Sequence, residues 1–577
     1  MNSLRNLTLP VLSKAFQNPN KLVTQCRFAF STLTQSKYQK RRPDLGTVGD
    51  YEASHFERIF DNRTDQPKCV LTKPDEVVSF NRDYTGRYEG SSSLVVLPTS
   101  AEQVAEAVKL CNIWKLGILP QGGNTSLVGS STPSFDEVIM STRKLNKILS
   151  IDTDTGIVVC ESGVIPADLE CVISDPTYDL LLPLDLGSWE ISCLGGNAST
   201  NARGIRTLKY MDFRHSIVGL EAVLPNGEIL NVMDGSHKDP VGVDLKHCFI
   251  GTEGIFGIIT KLAIRCPPRP RSTNAALITC DDYASVLEIL RTGRRDLADT
   301  LSAFEYMDNN ALGVVEREMN LRIPVAENNN ESSRQGCRHA IFIEISSSAL
   351  DCHELITKFI NKIQNRKLCN STFVPLTKED MVKLWRARKV VVDACKDSGL
   401  VFKFDLKIPA RHVPELVHLF ETVSIEDRII TSVNESIQRA PDGSGNLARI
   451  KDLIVFGQLP TGNLHVVATI DPHSWEIEKK HSIGAQRYAI PECIRRLQLV
   501  LCRWLRSNRT ASSGGFLSLS RECDGRWMRW VHRLEIDETG ASADGQFPGR
   551  DLQVALKNAW DPKGIMNPYK TFPFTTF

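Results

Sequence analysis

The sequence has little that would cross-link it, anchor it in a bilayer or bind it to a polyanion. Its 16 cysteines are scattered over 577 residues, no Cys-x-x-Cys occurs, and the closest two, Cys493 and Cys502, are nine positions apart. That spacing argues against a disulfide scaffold or a four-cysteine zinc site and fits reduced, mostly buried thiols. No apolar run approaches the roughly 18 residues of a membrane span. Basic and acidic side chains number 69 and 68, a net charge of +1, so no cationic surplus exists to displace counterions from nucleic acid. Disorder along the whole chain is also excluded, because 41% hydrophobic and 24% charged residues can bury a core.

Acids are missing from the first 43 positions, which carry Arg5, Lys14, Lys21, Arg27, Lys37, Lys40, Arg41 and Arg42 before Asp44. Leu4, Leu7, Leu9, Val11, Leu12 and Phe16 are interspersed among Ser, Thr, Asn and Gln. A basic, acid-free, amphipathic start reads as a mitochondrial transit peptide, with a basic tail as the plainer alternative. Residues 1–43 are therefore read as a leader outside the fold. Removing all of them would leave a net charge of −7.

From about Lys73 to Pro270, short apolar strands alternate with Gly-rich loops and helical patterns, which is α/β logic. Leu94–Leu97 ends at Pro98, and Ser100 is an N-cap with Gln103 as its capping-box partner. Val104, Ala107, Val108 and Cys111, at i, i+3, i+4 and i+7, predict a helix to about Leu116, stopped by Gly117. Ile118–Leu119 and Ile258–Arg265 read as strands. From Arg271 to Thr469 the pattern becomes α+β, with strands at Ala276–Thr279, Ala340–Ser346, Val401–Ile408 and Leu453–Phe456. Helical patterns lie at Tyr283–Leu297, His353–Arg366 and Val413–Val423, and Glu327–Cys337 reads as a surface loop. A basic-apolar helix near Glu492–Arg506 and a polar loop at Asp537–Gly549 precede the closing Asp561–Lys570.

Three clusters of small residues stand out. Gln121–Ser131, with Gly122, Gly123, Asn124, Thr125, Ser126 and Leu127 at its centre, lets backbone approach a ligand closely, and its amides form a nest for phosphate oxygens. It is neither a Walker loop nor a G-x-G-x-x-G turn. Leu184–Gly187 with Leu194–Ala202 form the second cluster and Ile250–Gly257 the third. Three such loops in one α/β region point to a large phosphate-bearing cofactor held mainly by backbone.

These residues also carry a resemblance. Gly122–Gly129 with Phe135–Thr142, Pro183-Leu-Asp-Leu-Gly187, Gly195-Gly-Asn197 and Phe249–Gly254 resemble the FAD-binding domain of the vanillyl-alcohol-oxidase (PCMH) type. Asp244–Gly251, Leu301–Asp308, Gly462-Asn-Leu-His465 and Asn567-Pro-Tyr-Lys570 are similar to the D-2-hydroxyglutarate dehydrogenase family, over about residues 45–470 and 551–572. The resemblance implies an α+β protein. Its FAD domain of two α/β subdomains would span 44–270, a ferredoxin-like substrate cap 271–470, and a segment closing on the FAD domain 471–577.

It further implies noncovalent FAD held by Gly122, Gly123, Asn124, Thr125, Ser126, Leu127, Pro183, Gly187, Gly195, Gly196, Asn197, Thr200 and Asn567. The implied reaction oxidises the Cα–OH of a D-2-hydroxy dicarboxylate in the mitochondrial matrix and passes electrons to electron-transfer flavoprotein, with a homodimer as a compatible assembly. Within this family Arg388 matches a carboxylate-binding Arg, a role suited to its planar fork. Lys403 and Asn463 match further substrate contacts, and Lys403, flanked by Phe402 and Phe404 on a strand, points away from both.

Two departures follow from the same comparison. The family's metal-binding run, His-x-Gly-Asp-Gly-Asn-x-His, reads here Gln458-Leu-Pro-Thr-Gly-Asn-Leu-His465. His465 survives, but Gln458 offers only a neutral amide where a zinc-like ion would want imidazole. The family's Ser-x-x-Glu-His-Gly run is nearest to Ser518–Gly525, which makes Glu522 the candidate third ligand and puts Cys523 where the basic His should be. Arg203 replaces a loop Gly, and Val392 a hydroxyl. Three readings are open: an active dehydrogenase with a remodelled metal site, a flavoprotein that has lost the chemistry, or a gene read wrongly across Glu476–Gly549. D-lactate is the alternative substrate.

Overall fold

The computed structural model describes residues 41–61, 68–84, 88–127, 129–233, 242–320, 338–418, 450–471, 516–523, 526–533 and 550–569. The first 40 residues, Glu327–Cys337, Glu492–Arg506, Asp537–Gly549 and the end of Val413–Val423 lie outside them.

Two sheets build the N-terminal half. The smaller, in the order Val70–Leu71, Val95–Val96, Val138–Ser141, Ile118–Gln121, is parallel except for its first strand. Helix Ala101–Trp114 packs on it through Val104, Ala107, Val108 and Cys111, all fully buried, each of the two valines worth about 1.5–3 kcal/mol. Ser100 Oγ accepts from Gln103 N–H at 3.3 Å as expected, but Gln103 Oε1 reaches back to Thr99 N–H at 2.8 Å, one residue earlier than a standard box. The helix also ends sooner than the expected Leu116. Lys115 turns left-handed at φ 53° and donates its N–H to Asn112 O, so Gly117 is not the stop. It makes room instead, since a Cβ there would lie 3.1 Å from Pro568 and 3.2 Å from Glu137.

The second sheet is antiparallel throughout, in the order Ile148–Asp152, Ile157–Glu161, Ile258–Arg265, Ile217–Val223, Ile229–Val232. The expected strand Ile258–Arg265 is present with those limits, buried between its neighbours.

The remaining strands form one antiparallel sheet of nine, in the order Ser371–Phe373, Ser272–Cys280, His339–Ser347, Leu301–Asp308, Ile450–Gln458, Asn463–Ile470, Leu400–Lys407, Phe516–Cys523, Arg526–Arg533. Its first four strands, with the intervening helices Tyr283–Asp296 and Cys352–Asn365, run fourth-first-third-second, which is the ferredoxin-like arrangement. Side-chain alternation gives the sheet two faces. One is apolar, with Phe304, Tyr306, Ile343, Phe402, Phe404 and Val466 in a single buried cluster that also includes residues of those two helices. Helices Asn309–Met319, Lys378–Lys389 and Val391–Ser398 cover part of the other. The uncovered part is polar and meets the N-terminal half.

Helix Arg550–Trp560 returns to the first half, where Trp560 lies 5.6 Å from both Phe249 and Phe256, centroid to centroid. The start of the described chain is tied down there too. Arg41 Nε donates to Asp136 at 2.6 Å and Arg42 Nη1 to Gly564 O at 3.0 Å.

Candidate active site

The three small-residue clusters converge. A Cβ on Gly122 would touch Cys193 at 3.2 Å and Gly196 Cα at 3.6 Å, and one on Gly123 would collide with Ile191 O. The first loop therefore lies backbone to backbone against the second, which only glycine permits. The third loop closes on the same helix turn, Leu194–Ser199, with Gly251 N–H donating to Ala198 O at 3.0 Å and Glu253 N–H to Ser199 O at 2.8 Å. Asn567, left-handed at φ 45°, joins them by donating Nδ2–H to Glu253 O at 2.7 Å. Asn124 is also left-handed, at φ 55°, held by Nδ2–H to Arg82 O and by Ser131 Oγ–H to its Oδ1, both 2.7 Å.

The polar face of the nine-stranded sheet is ordered by register. Glu305 lies opposite Gln458, which lies opposite Asn463; two residues along, Met307, Phe456, His465 and Asp405 stand in a row. Helix Lys378–Lys389 brings in Arg388, whose Nε donates to Glu305 Oε2 at 2.6 Å, with the two side chains 11% and 0% exposed. Its guanidinium also covers the Phe456 ring at 4.6 Å, and that ring lies 5.1 Å from His465. His465 Nδ1 bonds Asp405 Oδ1 at 2.5 Å, and Lys403 Nζ reaches the same oxygen at 3.0 Å.

Electrostatics follows from these contacts. Burial lowers His465 to about 4, with Lys403 and Arg388 pushing the same way and Asp405 opposing. Burial would raise Asp405, but Lys403 and His465 outweigh it and hold the carboxyl well below its usual range. His465 is then neutral near pH 7: Nδ1–H donates to Asp405 and Nε2 keeps its lone pair. Burial raises Glu305, against the pull of Arg388.

Arg206 locks the two halves together. Its Nε and Nη2 donate to both oxygens of Glu344 at 2.8 and 3.1 Å, and Nη1 pairs with Asp185 at 3.1 Å. Asp185 also pairs with Lys389 at 2.6 Å, and Gln458 Nε2–H donates to Gly204 O at 2.6 Å. The polar face of the nine-stranded sheet is thereby pressed against the strip that joins the second small-residue cluster to Lys209.

Residues 92–233 match the FAD binding domain family, and residues 269–486 with 548–571 match the C-terminal domain of FAD linked oxidases. A mitochondrial D-2-hydroxyglutarate dehydrogenase of Rattus norvegicus is 32% identical over 543 residues, covering 94% of this chain and 88% of its own. The chain belongs to the FAD-linked oxidases. Another relative, named as a mitochondrial D-lactate dehydrogenase in Schizosaccharomyces pombe, is 30% identical and covers 96% and 95% of the two chains. Substrate-bound p-cresol methylhydroxylase, at 16% identity, shares the fold with a TM-score of 0.61 over 90% of this chain and 97% of that one.

As an FAD-linked oxidase the chain has FAD as its cofactor, and the loops fit it. A Cβ on Gly196 would meet nothing within 4 Å, so the crossing of the loops leaves open space beside it. Around that crossing Gln121 Oε1, Ser162 Oγ and Asn567 Oδ1 are buried without a hydrogen-bond partner among the described residues. Of the other expected contacts, Pro183 and Asn197 are buried while Gly187 and Thr200 are exposed, and the Thr200 hydroxyl is bonded to Gly196 O at 3.0 Å.

The expected metal ligands fit less well. Gln458 donates its amide N–H to Gly204 O, and its Oε1 accepts from the Thr461 hydroxyl at 3.2 Å. Among the described residues His465 Nε2 has no hydrogen-bond partner. Glu522 and Cys523 stand on strand Phe516–Cys523, which pairs Ser518 with Asp405, but their side chains lie outside the described residues. Among the described residues no three His, Cys, Asp or Glu side chains come together. The described donors do not make a zinc site. The family match is also interrupted over 487–547, across much of Glu476–Gly549.

Arg388 and Lys403 come to one face, and Lys403 does point away from the buried Phe402 and Phe404. Glu305, Asp405, Arg206 and Glu344 are functional neighbours that sequence reasoning missed. Asp405 had a visible signal, a carboxylate two residues from Lys403 on the same strand face.

Proposed function

We propose that this chain oxidises a D-2-hydroxy dicarboxylate of the 2-hydroxyglutarate type to the 2-oxo acid. The observation that carries this reading is a neutral imidazole flanked by two cations, with Arg388 and His465 on either side of Phe456 and Lys403 beyond Asp405. FAD, when bound, supplies the acceptor for the Cα hydride. Lys403 and Arg388 anchor the two carboxylates, Asn463 lies beside them, and His465 Nε2 takes the hydroxyl proton while Asp405 holds the ring. Cys523 is the alternative base.

Electron-transfer flavoprotein as the next acceptor, a homodimer and a matrix location belong to the same reading, and the basic N-terminal residues and relatives named mitochondrial support the last of these. D-lactate is the second reading, favoured by the Schizosaccharomyces pombe relative.

The test is anaerobic bleaching of the flavin band of the full-length protein. D-2-hydroxyglutarate should bleach it, and His465→Asn should keep the colour and lose the bleaching. Faster bleaching by D-lactate would change the substrate, and colour that no 2-hydroxy acid bleaches would mark a flavoprotein without this chemistry.

A further inference from the structure

The register of the nine-stranded sheet sets two side chains at the spacing of a shared ion. Gln458 lies opposite Asn463 and His465 opposite Phe456, so Gln458 and His465 are diagonal neighbours on one face of the strand pair, about 7–8 Å apart. Two side chains at that distance can meet on one cation, as the family's two histidines would. The backbone for such a site is therefore in place. The side chains use it differently.

Both ends of the Gln458 amide are engaged elsewhere. Nε2–H donates across to the N-terminal half, to Gly204 O at 2.6 Å, and Oε1 accepts from the Thr461 hydroxyl at 3.2 Å, in a residue 6% exposed. Turning Oε1 toward an ion would take the buried N–H off its acceptor, in exchange for a neutral oxygen that zinc binds poorly beside imidazole. His465 by itself decides nothing, because a ring whose Nδ1–H is held by Asp405 at 2.5 Å suits a metal ligand and a general base equally. Its surroundings are already cationic, with Lys403 Nζ 3.0 Å from Asp405 Oδ1 and the Arg388 guanidinium over the Phe456 ring that adjoins His465. A dication at Nε2 would be repelled by both, and the carboxylate that could offset it is shared with Lys403.

We infer that the position of a metal ligand has become a tether between the nine-stranded sheet and the strip at Gly204, and that the pocket takes its 2-hydroxy acid without a divalent cation. The inference rests on the proposed function for the identity of the acid, but its tests are made on oxidised protein and need no turnover. Full-length flavoprotein is stripped of metal with EDTA, and Zn2+ binding is measured by competition with a chromophoric chelator. His465→Asn should change the Zn2+ affinity of the wild type by less than about twofold, because one imidazole nitrogen makes no site. Gln458→His should bring a new site at least about tenfold tighter, lost again when His465→Asn is added, because the two imidazoles meet across the strand pair.

Gln458→Glu supplies a ligand of another kind and should show the same dependence on His465 if Gln458→His fails to hold flavin. The second measurement is the binding of 2-oxoglutarate to the wild type, followed through the flavin spectrum, whose Kd EDTA should leave within about twofold. A wild-type Zn2+ site that His465→Asn abolishes would overturn the inference. So would a Kd for 2-oxoglutarate that EDTA raises about tenfold and Zn2+ restores, or flavin-loaded Gln458 variants that gain no site. A wild-type protein that meets these expectations but is bleached by no 2-hydroxy acid would refute the proposed reaction while leaving this assignment standing.

Discussion

Replacing Arg206 by Met removes the guanidinium and keeps much of the side chain's volume. The consequence is set by what it leaves behind. Glu344 is 1% exposed and loses two charged hydrogen bonds, retaining among the described residues the Ser302 hydroxyl at 2.8 Å; Asp185 keeps Lys389 at 2.6 Å. One buried carboxylate is thus stranded, and breaking a buried pair in this way costs about 3–5 kcal/mol. At about 2.1 cal/mol/K of unfolding entropy per residue, a chain of 577 residues shifts by about 1 °C per kcal/mol, so the thermal midpoint should fall by roughly 3–4 °C. Scanning calorimetry of the flavin-loaded protein measures it. The double variant Arg206→Met with Glu344→Gln supplies the decisive comparison, because an amide bonded to Ser302 carries no stranded charge and should recover more than half of the loss. A single variant within about 1 kcal/mol of wild type, or a double variant no better than the single one, would show that Arg206 is not the lock between the halves.

Two further outcomes are expected. Gly123→Ala should lose flavin, because its Cβ would strike Ile191 O, whereas Gly196→Ala should fold normally and weaken only flavin affinity, its Cβ meeting no protein atom within 4 Å; flavin content after gel filtration checks both. His339, whose Nδ1 bonds the Tyr306 hydroxyl at 2.9 Å, is held down to about 4, chiefly by burial, while an unfolded imidazole titrates near 6.5. Between those values only the unfolded chain binds the extra proton, so stability should fall on acidification by about 2 kcal/mol once partial exposure is allowed for. His339→Gln should flatten that part of the pH profile in urea titrations.

Local chemistry was readable where the chain talks to its neighbours in sequence. Ile258–Arg265 is a mostly apolar run that follows a Gly-rich turn, so its limits were legible, and the Phe402-Lys403-Phe404 alternation put the lysine on the opposite face from the two phenylalanines. The helix from Ala101 was visible in its apolar spacing, but its end was not, since the left-handed turn falls on Lys115 and not on the glycine two residues later. Register was the main thing hidden. Nothing local says that His465 will face Asp405 sixty residues earlier, or that Arg206 will meet Glu344 across 138. Those partners are chosen by strand order, and the polar ones carry no periodic signal. Glu305 stood inside a quoted motif without a role, because a carboxylate in a strand shows its purpose only when its cation arrives from another helix.

The order of synthesis gives one contact an unexpected weight. Lys557 Nζ, nearly inaccessible, donates to Ile255 O and Asp561 Oδ2 at 2.6 Å and to Met566 O at 2.9 Å, spanning 302 residues in the first case. Asn567 adds its bond to Glu253, and Ile118 N–H is satisfied by Ile565 O at 2.7 Å. The loops that would hold the dinucleotide are therefore made early on the ribosome and wait, unfinished, while the strands of the nine-stranded sheet are translated. A stop codon just ahead of residue 550 would spare all three small-residue loops and every strand of that sheet, yet the protein it produced should be colourless.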